Sequence, residues 1–184
     1  TNVRLLLTNL AQTRVRGVDL TMNGHFNGGE YGRFNPSLSV TYNHSYKAAP
    51  APESEPIEYA GSRGQPRVMA TMGLAWEKAA WRLSADVNYV GKMSAKDDFT
   101  QPCTFEQQGY ANLCGNIGSF TTVNLGGSYS GLMKNLKLSF AIRNLFDTMP
   151  PFAPSATSSQ AVAASPLHST VGRYFMITAD YKFK

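Results

Sequence analysis

Leu136, Leu138, Phe140 and Ile142 alternate with Lys137, Ser139, Ala141 and Arg143. That period of two gives one face of a strand to apolar side chains and the other to small or charged ones. The same alternation recurs along the chain. Val3, Leu5 and Leu7 mark a short strand within Thr1–Thr8. Arg14–Phe26 sets Arg16, Val18, Leu20, Met22, Gly24 and Phe26 against Gly17, Asp19, Thr21, Asn23 and His25. Tyr31–Tyr46 sets Phe34, Leu38, Val40, Tyr42 and Tyr46 against Asn35, Ser37, Ser39, Thr41, Asn43 and Ser45. Arg67–Glu77, Trp81–Tyr89, Ser119–Ser130, Leu136–Phe146 and Gly172–Lys184 complete an expected set of eight antiparallel strands.

The connections sort by length. Asn27–Tyr31, Lys78-Ala79 and Gly131–Asn135 are short, whereas Lys47–Pro66, Met93–Gly118 and the segment from Asp147 to Thr170 are long. Only the first connection, Asn9–Gln12, breaks the alternation. A soluble sandwich has no reason to sort its loops by end, whereas a transmembrane barrel has short turns on one side and long loops on the other. The apolar parity carries Phe26, Phe34, Trp76, Trp81, Tyr129 and Phe183 toward the short turns, and Tyr42, Tyr46, Tyr89 and Phe146 toward the long loops. Aromatic bands bracketing an aliphatic one suit the two interfaces of a bilayer. The other parity holds Asp19, Arg82, Asp86, Lys137, Arg143, Asp180 and Lys182, which suits a wet or plug-filled lumen. Alternation alone leaves the sandwich open, with its charges outward and its aliphatic band packed on a second sheet.

Composition narrows the choices. Charged residues are 16% of the 184, with 16 Gly, 9 Tyr and 10 Phe, a turn- and aromatic-rich profile of a single β domain. No apolar run approaches the roughly 20 residues that a membrane helix needs. The net charge of +5 is spread along the chain without stacking aromatics, which argues against a nucleic-acid partner. No nucleophile elbow, phosphate loop or dinucleotide fingerprint occurs, so nothing suggests an enzyme or a cofactor. His25, His44 and His168 lack ligand spacing and are expected in girdles or loops, with no metal site. Cys103 and Cys114, with ten residues between them in one loop, are unlike a Cys-x-x-Cys and have no His nearby. A disulfide in an oxidising compartment is the expectation, stabilising by roughly 2–3 kcal/mol in the loop-entropy model.

After the apolar strand come Arg143-Asn144-Leu145-Phe146-Asp147 and Pro150-Pro151-Phe152. This run resembles the Asn-Leu-Phe-Asp segment near the C-terminus of TonB-dependent outer-membrane receptors. Arg16-Gly17-Val18-Asp19-Leu20 is similar to the Gly-Val/Ile-Glu/Asp strand of these receptors, and Gly172-Arg173-Tyr174-Phe175 leads into a last strand ending Tyr181-Lys182-Phe183. The resemblance implies an all-β fold, an antiparallel transmembrane β-barrel of which these are about eight strands of a 22-stranded type. Residues 1–184 would be the C-terminal portion of the barrel, cut from something larger since the chain opens at Thr1, with the plug domain and the TonB-contacting segment outside it. The alternative is a complete eight-stranded outer-membrane barrel with a structural or adhesive role.

The implied function is TonB-coupled uptake of a scarce nutrient, a ferric siderophore, cobalamin or oligosaccharide, in the outer membrane of a Gram-negative bacterium. Implied partners are membrane lipid, TonB through the missing plug region, the nutrient, and the barrel-assembly machinery at the last strand. The family usually ends on an aromatic residue; here Lys184 follows Phe183. Long loops carry recognition on a rigid scaffold, which points to Asp97, Asp98, Phe99, Tyr110 and Phe152, with Arg143 just below the rim. Asp and Arg can hold hydroxyls or acidic groups, and the aromatics can stack on a sugar or catecholate.

Overall fold

In the computed structural model, which describes residues 12–49, 54–96, 99–100, 114–151 and 167–183, the alternating segments are strands. In chain order they are β1 (Thr13–Asn23), β2 (Phe26–Asn27), β3 (Arg33–Ala48), β4 (Ile57–Glu58), β5 (Val68–Lys78), β6 (Trp81–Val90), β7 (Met93–Ser94), β8 (Asn116–Ile117), β9 (Phe120–Tyr129), β10 (Leu136–Arg143) and β11 (Tyr174–Tyr181). The seven long strands form one antiparallel meander in the order β1-β3-β5-β6-β9-β10-β11. The expected strand at Thr1–Thr8 lies outside the described residues. Among the described residues the sheet is open, with β1 and β11 at its edges, as part of a larger barrel must be. No described helix is long and apolar enough to cross a membrane.

Register carries the two faces across the sheet. One row runs Phe34, Trp76, Leu83, Gly127, Phe140 and Ile177; another runs Ser37, Gly73, Asp86 and Asn124. Among the described residues none covers the apolar face at its edges: Val18 is 65% exposed and Ile177 84%. At Gly127 an added Cβ would stand 2.5 Å from the Phe140 ring and 2.7 Å from Leu83 Cδ2, so these two side chains fill the space above the glycine. The buried apolar residues Ala49, Ala60, Met93, Ala95, Ile117 and Phe120 all lie toward the long-loop end. What core there is sits under the loops and not between sheets.

Four expectations are corrected. β1 advances one residue, Arg16 to Gly17, where β3 advances two, from Ser45 to Asn43, so His44 is the extra residue of a bulge. Gly17 is required there, because a Cβ would lie 2.6 Å from the Tyr42 carbonyl oxygen. The His44 carbonyl accepts from Arg67 Nη1 at 2.5 Å instead of from the ladder. Above the bulge the faces of β3 exchange, so Tyr46 leaves the aromatic band of Tyr42 and its ring lies 5.9 Å from that of Tyr59. The long loops are not irregular throughout: β4 pairs with the end of β3, and β7 pairs with β8. The strand of Leu136 stops at Arg143, because Asn144 and Asp147 take φ of 51° and 54°; Phe146 therefore projects from a turn, 70% exposed. The turn after β5 is Ala79-Ala80, since Lys78 still pairs with Trp81.

Candidate functional site

The polar face becomes a built surface at its long-loop end. Thr41, Met69, Val90 and Phe120 form one row across four strands, and Ser39, Thr71, Asn88 and Thr122 the row below. Small hydroxyl and amide side chains leave the wall concave. Leu167 and Ser169, from the segment that leads into β11, come down on it and bound a concavity of ≈ 380 Å³. Between them His168 is 4% exposed, with its ring edge-on to Phe120 at 5.2 Å. Neither ring nitrogen has a hydrogen-bond partner among the described residues. Burial lowers the His168 pKa, favouring the neutral imidazole.

Beside this wall a chain of amides and carboxylates ties three strands to the turn after β10. Asp86 Oδ2 accepts from Asn88 Nδ2 at 2.9 Å and from Asn124 Nδ2 at 2.6 Å. Asn124 Oδ1 accepts from the Asn144 amide at 2.9 Å. Asn144, 5% exposed, closes the turn: its Nδ2 donates to the Thr148 carbonyl and its Oδ1 accepts from the Thr148 amide, both at 2.9 Å. Asp147 Oδ1 accepts from the Arg173 amide at 2.7 Å, joining the turn to the start of the last strand. The Asn-Leu-Phe-Asp run is thus a clamp at the upper edge of the wall. Each of its two polar residues takes a left-handed backbone conformation that Asn and Asp tolerate.

The long loops brace one another. Arg63 Nη2 and Nε donate to the Ala95 carbonyl at 2.6 and 3.2 Å. The Ser94 amide donates to Gly61 O at 2.7 Å, and the Arg63 amide to Lys96 O at 2.8 Å. Below them Met93, Ala95 and Ile117 pack as a small core with Val90. In the neighbouring loop Glu58 is buried enough to raise its pKa. Hydrogen bonds from Ser45 Oγ and the Tyr46 and Ala60 amides, with the charge of Arg67, outweigh that and lower it to about 2. Toward the short turns the polar face carries Glu77 between two arginines, 2.8 Å from Arg33 and 3.4 Å from Arg82.

Of the residues expected to meet a ligand, Asp97, Asp98, Tyr110 and Phe152 lie outside the described residues, as does Cys103. Phe99 is 46% exposed. Arg143 ends β10 opposite Tyr174. Neither the Phe99 nor the Arg143 side chain takes part in a described hydrogen bond, ion pair or ring contact. Cys114 is disulfide-bonded. Among the described residues no three His, Cys, Asp or Glu side chains gather as a metal ion would need. His168 against Phe120 was not expected; no local pattern marks a contact between residues so far apart in sequence.

The family model for the TonB dependent receptor-like β-barrel matches residues 1–145. No curated protein matches the chain. Among solved structures, the copper transporter OprC is similar at 18% identity and a TM-score of 0.54, over 93% of this chain and 24% of its own. A ferric enterobactin receptor of Pseudomonas aeruginosa aligns at 19% identity and 0.57, over 92% of this chain and 22% of its own. The siderophore receptor PiuA of Acinetobacter baumannii aligns at 18% and 0.56, over 95% and 22%. The chain therefore spans about a quarter of the length of the structures it resembles.

Proposed function

The chain belongs to the TonB-dependent receptor-like β-barrel family, and from that premise we propose that residues 1–184 form the C-terminal portion of the barrel of an outer-membrane receptor that imports a scarce nutrient by TonB coupling. The observation that carries this reading is the concave polar wall of β3, β5, β6 and β9, which the segment before β11 partly covers, backed by an apolar face with many exposed side chains. A wall of hydroxyls and amides under braced loops suits a small polar solute entering from the long-loop side. Two of the similar structures are named for ferric enterobactin or siderophore binding and one for copper. Of the nutrients the resemblance implies, a ferric siderophore is therefore the first to test.

Ligand contact is assigned to Asp97, Asp98, Phe99, Tyr110, Arg143 and Phe152 around the rim. TonB would act through a plug domain outside these residues, lipid would cover the apolar face, and the barrel-assembly machinery would engage β11. The named relatives are transporters and receptors, and no catalytic role is assigned. Uptake of a ferric siderophore, cobalamin and an oligosaccharide, measured in a deletion strain with and without TonB, tests the function. One TonB-dependent uptake should be lost; TonB-dependent uptake of none of the three in the parent strain overturns the reading.

The long loops are taken to face outside and the short turns the periplasm. A cysteine placed at Ser158 should react with an impermeant maleimide on intact cells, and one at Lys78 should not. The reverse labelling inverts the assignment.

A further inference from the structure

Among the described residues His168 is the only buried ionisable side chain. It belongs to a strap, residues 167–173, that comes down on the polar wall before β11. Leu167 and Ser169 bound the concavity on either side of it, and its ring stands edge-on to Phe120, itself buried. The other end of the strap is held differently. Asp147 Oδ1 accepts from the Arg173 amide at 2.7 Å, and Arg173 Nη1 donates to the Leu145 carbonyl at 3.3 Å. Between the two ends Ser169 Oγ accepts from the Val171 amide at 3.3 Å, a bond inside the strap. A carboxylate thus latches one end, while a buried imidazole seats the other.

Ionisation is what this seat cannot accommodate. A neutral imidazole leaves one N–H unpaired there; an imidazolium would leave two, and bury a charge as well. Among the described residues Tyr89 is the only ionisable one that lines the concavity. The charged groups on the surrounding elements are Asp19 of β1, Asp86 of β6, Lys92 after it, Arg143 of β10, and Asp147 and Arg173 at the latch. None bonds to the ring, and none offsets the burial that lowers its pKa. Asp86 and Asp147 are engaged by Asn88, Asn124 and the Arg173 amide. Released into water, the ring returns to an ordinary pKa of about 6.5.

We propose that residues 167–173 form a pH-sensitive strap: protonation of His168 expels its ring from beside Phe120, and residues 167–171 swing off the wall about the Asp147–Arg173 latch, opening the ≈ 380 Å³ concavity. The released strap binds the proton more readily than the seated one, so closure is favoured above about pH 6.5 and weakens as pH falls. Each pH unit below 6.5 raises the ratio of open to closed strap by up to about tenfold, and the fall from pH 7.5 to pH 4 by up to about three-hundredfold. The wall is the surface assigned above to an entering solute, and pH-gated entry rests on that reading; the movement of the strap does not.

The test uses the full-length receptor in detergent, with nitroxide labels on Thr170→Cys in the strap and Lys78→Cys in the short turn after β5. Pulsed electron paramagnetic resonance reads the distance between them from pH 7.5 to pH 4. A second, shifted distance should appear and grow as pH falls. His168→Phe fills the same seat without a titrating group and should show no pH dependence. Folding is read by the gel-mobility shift on heating, and His168→Asn, equally unable to ionise, replaces the first variant if that one does not fold. Exchange of the His168 C2 hydrogen, followed by mass spectrometry, should give an apparent pKa below about 6.5 that coincides with the midpoint of the movement. A wild-type distance unchanged down to pH 4 overturns the proposal, and so does the same movement in the variants that cannot ionise. Either failure leaves the uptake assay above, run at neutral pH, unaffected.

Discussion

Asn144 should be the most sensitive position of the clamp after β10. Its side chain makes two hydrogen bonds to the Thr148 backbone, both 2.9 Å, while its own backbone sits at φ 51° and is 5% exposed. In Asn144→Ala both bonds go, at about 1 kcal/mol each. A methyl-bearing residue must then hold a left-handed conformation, at a further cost of about 1 kcal/mol. The sum is about 3 kcal/mol. Asn144→Gly loses the same bonds but meets no steric objection to its backbone, so it should lose about 2 kcal/mol. The assay is the folded fraction of the full-length receptor, read by its mobility shift on heating, along a urea series in detergent micelles. The order wild type, Gly, Ala is the expected result. An Asn144→Ala receptor as stable as wild type would show that the Thr148 contacts contribute nothing and that the clamp is only a path for the chain.

Removing Arg63 with Arg63→Ala should release the bracing between the two long loops, because the Ala95 carbonyl loses both of its guanidinium donors; cleavage within residues 93–118 by a protease added to intact cells should rise severalfold with no change in barrel stability. Glu58 has its pKa lowered from 4.5 to about 2, so its ionised form stabilises the folded loop at neutral pH, and that contribution fades as pH falls from about 4.5 through about 2. Protection of the Tyr46 and Ala60 amides from hydrogen exchange, taken relative to the intrinsic rate at each pH, should therefore fall toward pH 2, and Glu58→Gln should show low protection already at pH 6. Cys114 should be bonded to Cys103, the only other cysteine; intact mass before and after reduction should differ by about two hydrogens, and two free thiols in the exported protein would refute the pairing.

Alternation made the strands legible because each long strand has two open faces of unlike chemistry, lipid-compatible and wet. Asp86, Asn88, Asn124 and Thr122 could be placed on the wet face from parity alone. Parity failed at His44, where one extra residue exchanges the faces of β3 and moves Tyr46, Ser45 and Lys47 together. Nothing in Tyr42–Lys47 marks that position; the signal lies in its partner, Gly17, which alone admits the Tyr42 carbonyl so close. The two-residue ladders of β4, β7 and β8 are too short to carry a period, so they read as loop. Asn144 continued the strand in the sequence pattern, yet its ability to adopt positive φ is what ends it. The site was legible only as a region. The wall beneath the loops follows from strand order, but the contact of His168 with Phe120 depends on where a long connection returns, which local chemistry does not encode.

The missing side chain at Gly127 bears on how the sheet finds its register. On the wet face Gly73, Ser84, Gly126 and Ser139 are nearly interchangeable in size, so a strand sliding by two residues would meet little resistance there. On the other face Phe140 lies over Gly127 beside Leu83. A slip of two residues would set that ring opposite Leu125 or Tyr129, whose side chains already occupy the space it needs. One missing side chain thus acts as a keyhole, and the incoming β10 locks onto β9 only where its ring can lie down.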